Sequence, residues 1–96
     1  MSPINKKKLN LLRVKLDKLD NELLKLIKKR SNLVNEVLKV KIHKKEIIDQ
    51  KRINFILKKI NKKSIQHNID PKITNRIWKN MIWSFIDYEK RNFKKK

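Results

Sequence analysis

The chain has 96 residues, 28 Lys and Arg against 9 Asp and Glu, and a formal net charge of +19 at pH 7. A chain this short makes one domain, with a core that is marginal unless a second copy shares it. It has no Cys, which excludes disulfides and thiolate metal sites, and His43 and His67 stand too far apart for a helical ligand pair, which disfavours a metal.

The charge has two readings. One is a nucleic-acid or anionic membrane surface; the other is a solvated lysine coat. The lysines are dispersed over the whole chain with no interleaved aromatics, which favours the coat and disfavours nucleic acid. No apolar run approaches the roughly 20 residues of a membrane span, and no signal-type apolar core follows the N-terminus. A cytoplasmic protein is therefore expected, without membrane partners.

Arg is scarce among these cations, with Arg13, Arg30 and Arg52 associated with apolar helical stripes and Arg76 and Arg91 elsewhere. A lysine serves wherever a bare charge is enough. A retained Arg suggests forked recognition of a carboxylate or phosphate.

The first predicted helix runs from about Leu9 to Ile42, with Leu12, Leu16, Leu19, Leu23 and Leu26 spaced by threes and fours, then Leu33 and Val37 in the same register after one skipped step. At 1.5 Å per residue it reaches roughly 50 Å, which calls for a partner along its length. Its stripe breaks at Arg30, where a Leu is expected. Lys41 follows on nearly the same face, only about 20° away around the helix. Arg13 precedes Arg30 by about 25 Å of helix, too far for one small ligand to reach both. If both serve one site, Arg13 comes from a second chain.

A break is expected over 42–49, with Asp49 as N-cap of a second helix carrying Ile53, Ile56, Leu57 and Ile60. That helix ends around Lys63 to Asn68, and Arg52 sits in its first turn. Asp70-Pro71 then opens a third helix. Its stripe runs Ile73, Ile77, Trp78, Met81, Ile82 and Phe85, then meets an acid, Glu89. The domain core spans about 9–93, with basic tails at 1–8 and 94–96.

Arg30 alone reads as a snorkelling side chain or as the partner of a buried acid. Asp49 alone reads as a cap. Together Arg30, Lys41, Arg52 and Glu89 describe a small pocket for a compact anion. No Ser has a His at useful spacing, which disfavours triad hydrolysis.

The run Leu12-Arg13-x-x-Leu16-Asp17-x-Leu19-Asp20-x-x-Leu23-Leu24-x-Leu26-Ile27-x-x-Arg30, with Val34, Val37 and Lys41, resembles the all-helical class of chorismate mutases. So do Asp49-x-x-Arg52 and the segment from Ile77-Trp78 to Glu89. The resemblance covers about residues 9–93. It implies an all-α fold of three helices per chain, intertwined as a homodimer with shared active sites. In that arrangement Arg13 from the partner chain and Arg30 would clasp the substrate's two carboxylates. Lys41 would meet the ether oxygen and a carboxylate, and Arg52 would support the anionic end. Asp49 would sit by the ring hydroxyl, and Glu89 would face the ether oxygen.

The implied reaction is the Claisen rearrangement of chorismate to prephenate, which needs no cofactor. The resemblance departs at Ile53, where many members carry Glu, and at Phe85, where some carry a small polar residue. Ile53 keeps the related isochorismate-pyruvate lyases open as an alternative. A non-catalytic basic helical protein that binds nucleic acid is the competing reading from another class.

Overall fold

The computed structural model describes residues 2–94, and among these every regular element is helical. The order is α1 (Pro3–Val40), a 3-10 turn (Lys44–Ile47), α2 (Gln50–Gln66) and α3 (Pro71–Asn92). This is the three-helix, all-α chain expected from the periodicity. Lys95 and Lys96, at the end of the expected basic tail, lie outside the described residues. The chain divides into two units, Met1–Leu33 and Val34–Lys96.

In the first unit α1 begins at Pro3 rather than near Leu9. Ser2 acts as its N-cap: the hydroxyl oxygen accepts from the Asn5 amide at 3.2 Å, and the Ser2 carbonyl accepts from Lys6 at 2.9 Å. Cap followed by proline is the signature that also opens α3, so residues 3–8 are helical rather than a free tail. The striped leucines Leu12, Leu16, Leu19, Leu23 and Leu26 remain 47–58% exposed. No α1 residue is buried. An amphipathic helix whose apolar stripe faces water lacks the packing that ordinarily stabilises it.

In the second unit Ile47, Ile53, Ile82 and Ile86 form the buried core, with Ile56, Leu57 and Phe93 packed against it. The 3-10 turn supplies Ile47, α2 supplies Ile53, and α3 supplies Ile82 and Ile86, which lie four residues apart on one face. Where α2 meets α3, the buried hydroxyls of Ser64 and Thr74 bond each other at 2.6 Å. Ser64 also donates to the Ile60 carbonyl at 2.6 Å, so burial leaves neither hydroxyl without a partner.

The α2–α3 connection must reverse the chain, and this protein has no glycine with which to do it. Asn68 takes the left-handed position instead, at φ 56°. The Ile69 amide donates to the Ser64 carbonyl at 2.8 Å and the Asn68 amide to Ile65 at 3.2 Å, the paired bonds of a Schellman cap. Asp70 then accepts from the Lys72 amide at 2.9 Å with Pro71 in the first turn of α3. Asn tolerates the left-handed region where a β-branched residue does not. Asn68→Val is therefore expected to cost about 1–2 kcal/mol, and Asn68→Gly to be neutral or stabilising, as read from urea denaturation midpoints.

Candidate active site

α1 ends at Val40, one residue before Lys41, so Lys41 leaves the helix while its stem still follows the helix's last turn. Its amide donates to the Leu38 carbonyl at 3.3 Å. Its ammonium reaches the third helix, where Nζ donates to Glu89 Oε1 at 2.9 Å. The side chains are 18% and 8% exposed. These two polar groups, 48 residues apart in the chain, are the pair that sequence periodicity placed on inward faces of separate helices. Ile82 and Ile86, buried on the same helix, share the face that carries Glu89. A carboxylate with so little water around it requires a cation or a proton.

Immediately before Glu89 in α3, Tyr88 ties the same two elements together. Its hydroxyl donates to Asn35 Oδ1 at 2.7 Å, bridging α3 to the end of α1. Nothing in the spacing of Tyr88 distinguishes a hydroxyl that finds an amide from one that faces water. A hollow of about 360 Å³ adjoins this contact, lined by Asn35, Leu38, Tyr88, Asn92 and Phe93 among others. Neither Lys41 nor Glu89 lines it.

Asp49 is the N-cap of α2 as expected, its Oδ1 accepting from the Arg52 amide at 3.0 Å. The cap engages one oxygen of the Asp49 carboxylate. Arg52 is exposed, and its guanidinium carbon rests 5.4 Å from the centre of the Phe55 ring, a cation–π distance. It is thus beside the Asp49 cap but is not drawn into the Lys41–Glu89 pair. Ile53, the next residue, is 6% exposed and belongs to the isoleucine core. At this position the chain spends its side chain on packing, so no carboxylate can reach a ligand from here.

In the first unit, Arg30 is half-buried and Arg13 is exposed, both on α1. The interruption of the leucine stripe by Arg30 is therefore a position partly withdrawn from water. Its leucine neighbours Leu26 and Leu33 stay exposed.

Glu46 makes contacts that the sequence did not single out. From the 3-10 turn its Oε2 accepts from the Ile42 amide at 2.8 Å and from the His43 amide at 3.3 Å. The only local signal is its place three residues after His43, the spacing of a capping box. These amides hold the carboxyl below the ordinary glutamate range, chiefly through Ile42, then His43, with the nearby charges of His43 and Lys41 adding to the effect against a smaller opposing desolvation. A depressed folded-state pKa gives stability that is complete above the unfolded carboxylate range and is lost as pH falls through the folded value. Glu46→Ala is accordingly expected to be less stable than the parent at neutral pH, with the gap narrowing at acid pH. Urea titrations at the two pH values would check this.

The arrangement offers cations, one buried acid and a capped carboxylate. Among the described residues no cluster of His, Asp or Glu could hold a metal ion, and no helix is long and apolar enough to cross a membrane. Within the second unit, Lys41 and Arg52 supply an ammonium and a guanidinium, groups whose chemistry suits small anions.

Comparison with known proteins agrees with this inventory. The family model for chorismate mutase type II matches residues 12–90, a span that holds Arg13, Arg30, Lys41, Asp49, Arg52 and Glu89. A chorismate mutase from Methanocaldococcus jannaschii is 36% identical over 76 residues, covering 78% of this chain and 77% of that protein. No solved structure matches the chain. The chain belongs to the type II chorismate mutase family.

Proposed function

We propose that this protein converts chorismate to prephenate by an intramolecular Claisen rearrangement, in the supply of phenylalanine and tyrosine. The observation that carries the reading is the buried Lys41–Glu89 pair at 2.9 Å. It places a fixed ammonium and an acid at one point, inside the family match. In this rearrangement a C–O bond breaks as a C–C bond forms, with no net proton transfer. Nothing in it calls for a nucleophile, and two effects are enough. Holding the flexible dianion in a compact, near-attack conformer removes much of the entropic barrier. Donors fixed where charge develops stabilise the breaking ether oxygen.

Each residue then has a part. Lys41 donates to the ether oxygen and to a carboxylate, and Glu89 faces the same oxygen, to which it can donate only as the neutral acid. Arg30 clasps one carboxylate end with the planar fork that a lysine lacks. Arg52 lifts from the Phe55 ring to support the anionic end, and the Asp49 carboxylate meets the ring hydroxyl. Arg13 completes the clasp from a second copy of the chain. The exposed leucine stripe of α1 supports such a dimer, since a partner helix laid along it buries what a single chain leaves in water.

Incubation of the purified protein with chorismate and, separately, with isochorismate tests the reading. Prephenate from chorismate is the expected product. Pyruvate and salicylate from isochorismate, without prephenate, would assign the chain to the lyase reaction instead.

A further inference from the structure

We propose that Glu46 is a positioning residue for Lys41, its carboxylate fixing the main chain from which the catalytic ammonium extends. This rests on the reading of Lys41 as the group that meets the substrate.

Lys41 is the first residue beyond α1, where helical hydrogen bonds stop and the main chain would otherwise fray. On its N-terminal side the Lys41 amide is held by Leu38 at 3.3 Å. On its C-terminal side the next two amides, Ile42 and His43, both point at one atom, Glu46 Oε2, at 2.8 and 3.3 Å. Glu46 is itself anchored: its own amide donates to the His43 carbonyl at 3.0 Å, and the adjacent Ile47 is 3% exposed in the isoleucine core. The core thus holds the 3-10 turn, the turn holds the Glu46 carboxylate, and the carboxylate holds the peptide that follows Lys41. Glu89 holds the far end of the same side chain.

The charge balance makes this use of a carboxylate notable. With 28 cations and 9 acids, a solvent-facing Glu has many lysines within reach. Glu46 instead spends one oxygen on two main-chain donors. A lysine has four rotatable bonds, so an error in its backbone position is passed to the ammonium and enlarged. Misplacement of a reacting contact by about 1 Å can lower turnover by as much as 100-fold. Glu46 bonds the main chain that follows Lys41, so its effect passes through Lys41.

The experiment compares Glu46→Ala, Glu46→Gln, Lys41→Ala and the double variant Lys41→Ala/Glu46→Ala in steady-state chorismate turnover. Hydrogen exchange of the Ile42 and His43 amides is followed in the folded proteins. Glu46→Ala is expected to lower kcat about tenfold with KM within about twofold, and to speed exchange at both amides. Glu46→Gln keeps an acceptor oxygen and should recover most of kcat; it also carries the test if the alanine variant does not fold. The double variant should be no slower than Lys41→Ala alone, since a residue acting through Lys41 has nothing left to position. Unchanged kcat in Glu46→Ala with faster exchange would overturn the proposal, as would additive losses in the double variant. Normal turnover in Lys41→Ala would instead overturn the site reading, and this inference with it.

Discussion

The double variant Lys41→Met/Glu89→Leu should fold at least as stably as the parent chain and convert no chorismate. The pair joins the end of α1 to α3 with side chains 18% and 8% exposed, so each charge has given up most of its water. Removing one partner strands the other. Lys41→Met alone, leaving Glu89 buried among Ile82 and Ile86, is expected to destabilise by about 3–5 kcal/mol. Removing both erases the desolvation penalty and adds apolar contact to a core of only four buried isoleucines. Such replacements are commonly neutral or stabilising by about 1–4 kcal/mol. Urea unfolding of the two single variants and the double, alongside turnover, separates the roles. A stable, inactive double variant shows that the pair is kept for chemistry. A double variant as unstable as the singles would show that the pair is chiefly architectural.

Mixing Arg13→Ala chains with Arg30→Ala chains should restore activity that neither possesses alone. In a dimer whose sites each take Arg30 from one chain and Arg13 from the other, a hybrid contains one site with both native arginines and one with neither. With random exchange, half the dimers are hybrids and half their sites are complete, so about a quarter of parent activity returns. The loss in each single variant should be large, because a guanidinium fork on a carboxylate is replaced by no contact at all. Recovery should track the kinetics of subunit exchange, followed with differently labelled chains. No recovery after confirmed exchange would place both arginines in one chain's site or outside the site altogether.

The two experiments probe different parts of the α1 helix. Lys41 follows its last turn and is held by α3, whereas Arg13 lies on a stretch whose leucines face water in the single chain. In the proposed dimer, a second copy would cover the apolar face of α1, and the same contact would deliver Arg13 to the neighbour's site.

Much of the fold was legible in the sequence because it is decided by neighbours three or four residues apart. Leucine periodicity marked α1, Asp49 and Asp70-Pro71 marked the starts of α2 and α3, and both caps are present. The same local rule was available at Ser2-Pro3 and extends α1 to Pro3. Inward placement of Glu89 was also readable, since a charge on an apolar stripe stands out against its period, and Glu89 is buried.

What only the tertiary structure decided are the contacts between elements. That Lys41 meets Glu89, and Tyr88 meets Asn35, depends on how the end of α1 and α3 come together, which no local spacing specifies. That Ile53 packs into the core, and offers no polar group to a ligand, depends on the isoleucines it meets from the 3-10 turn and α3. Glu46 lies between the two cases: its partners are only three and four residues away, but the turn that aims it is held by Ile47 in the core. Local periodicity sets which side chains face inward, and packing sets which of them meet.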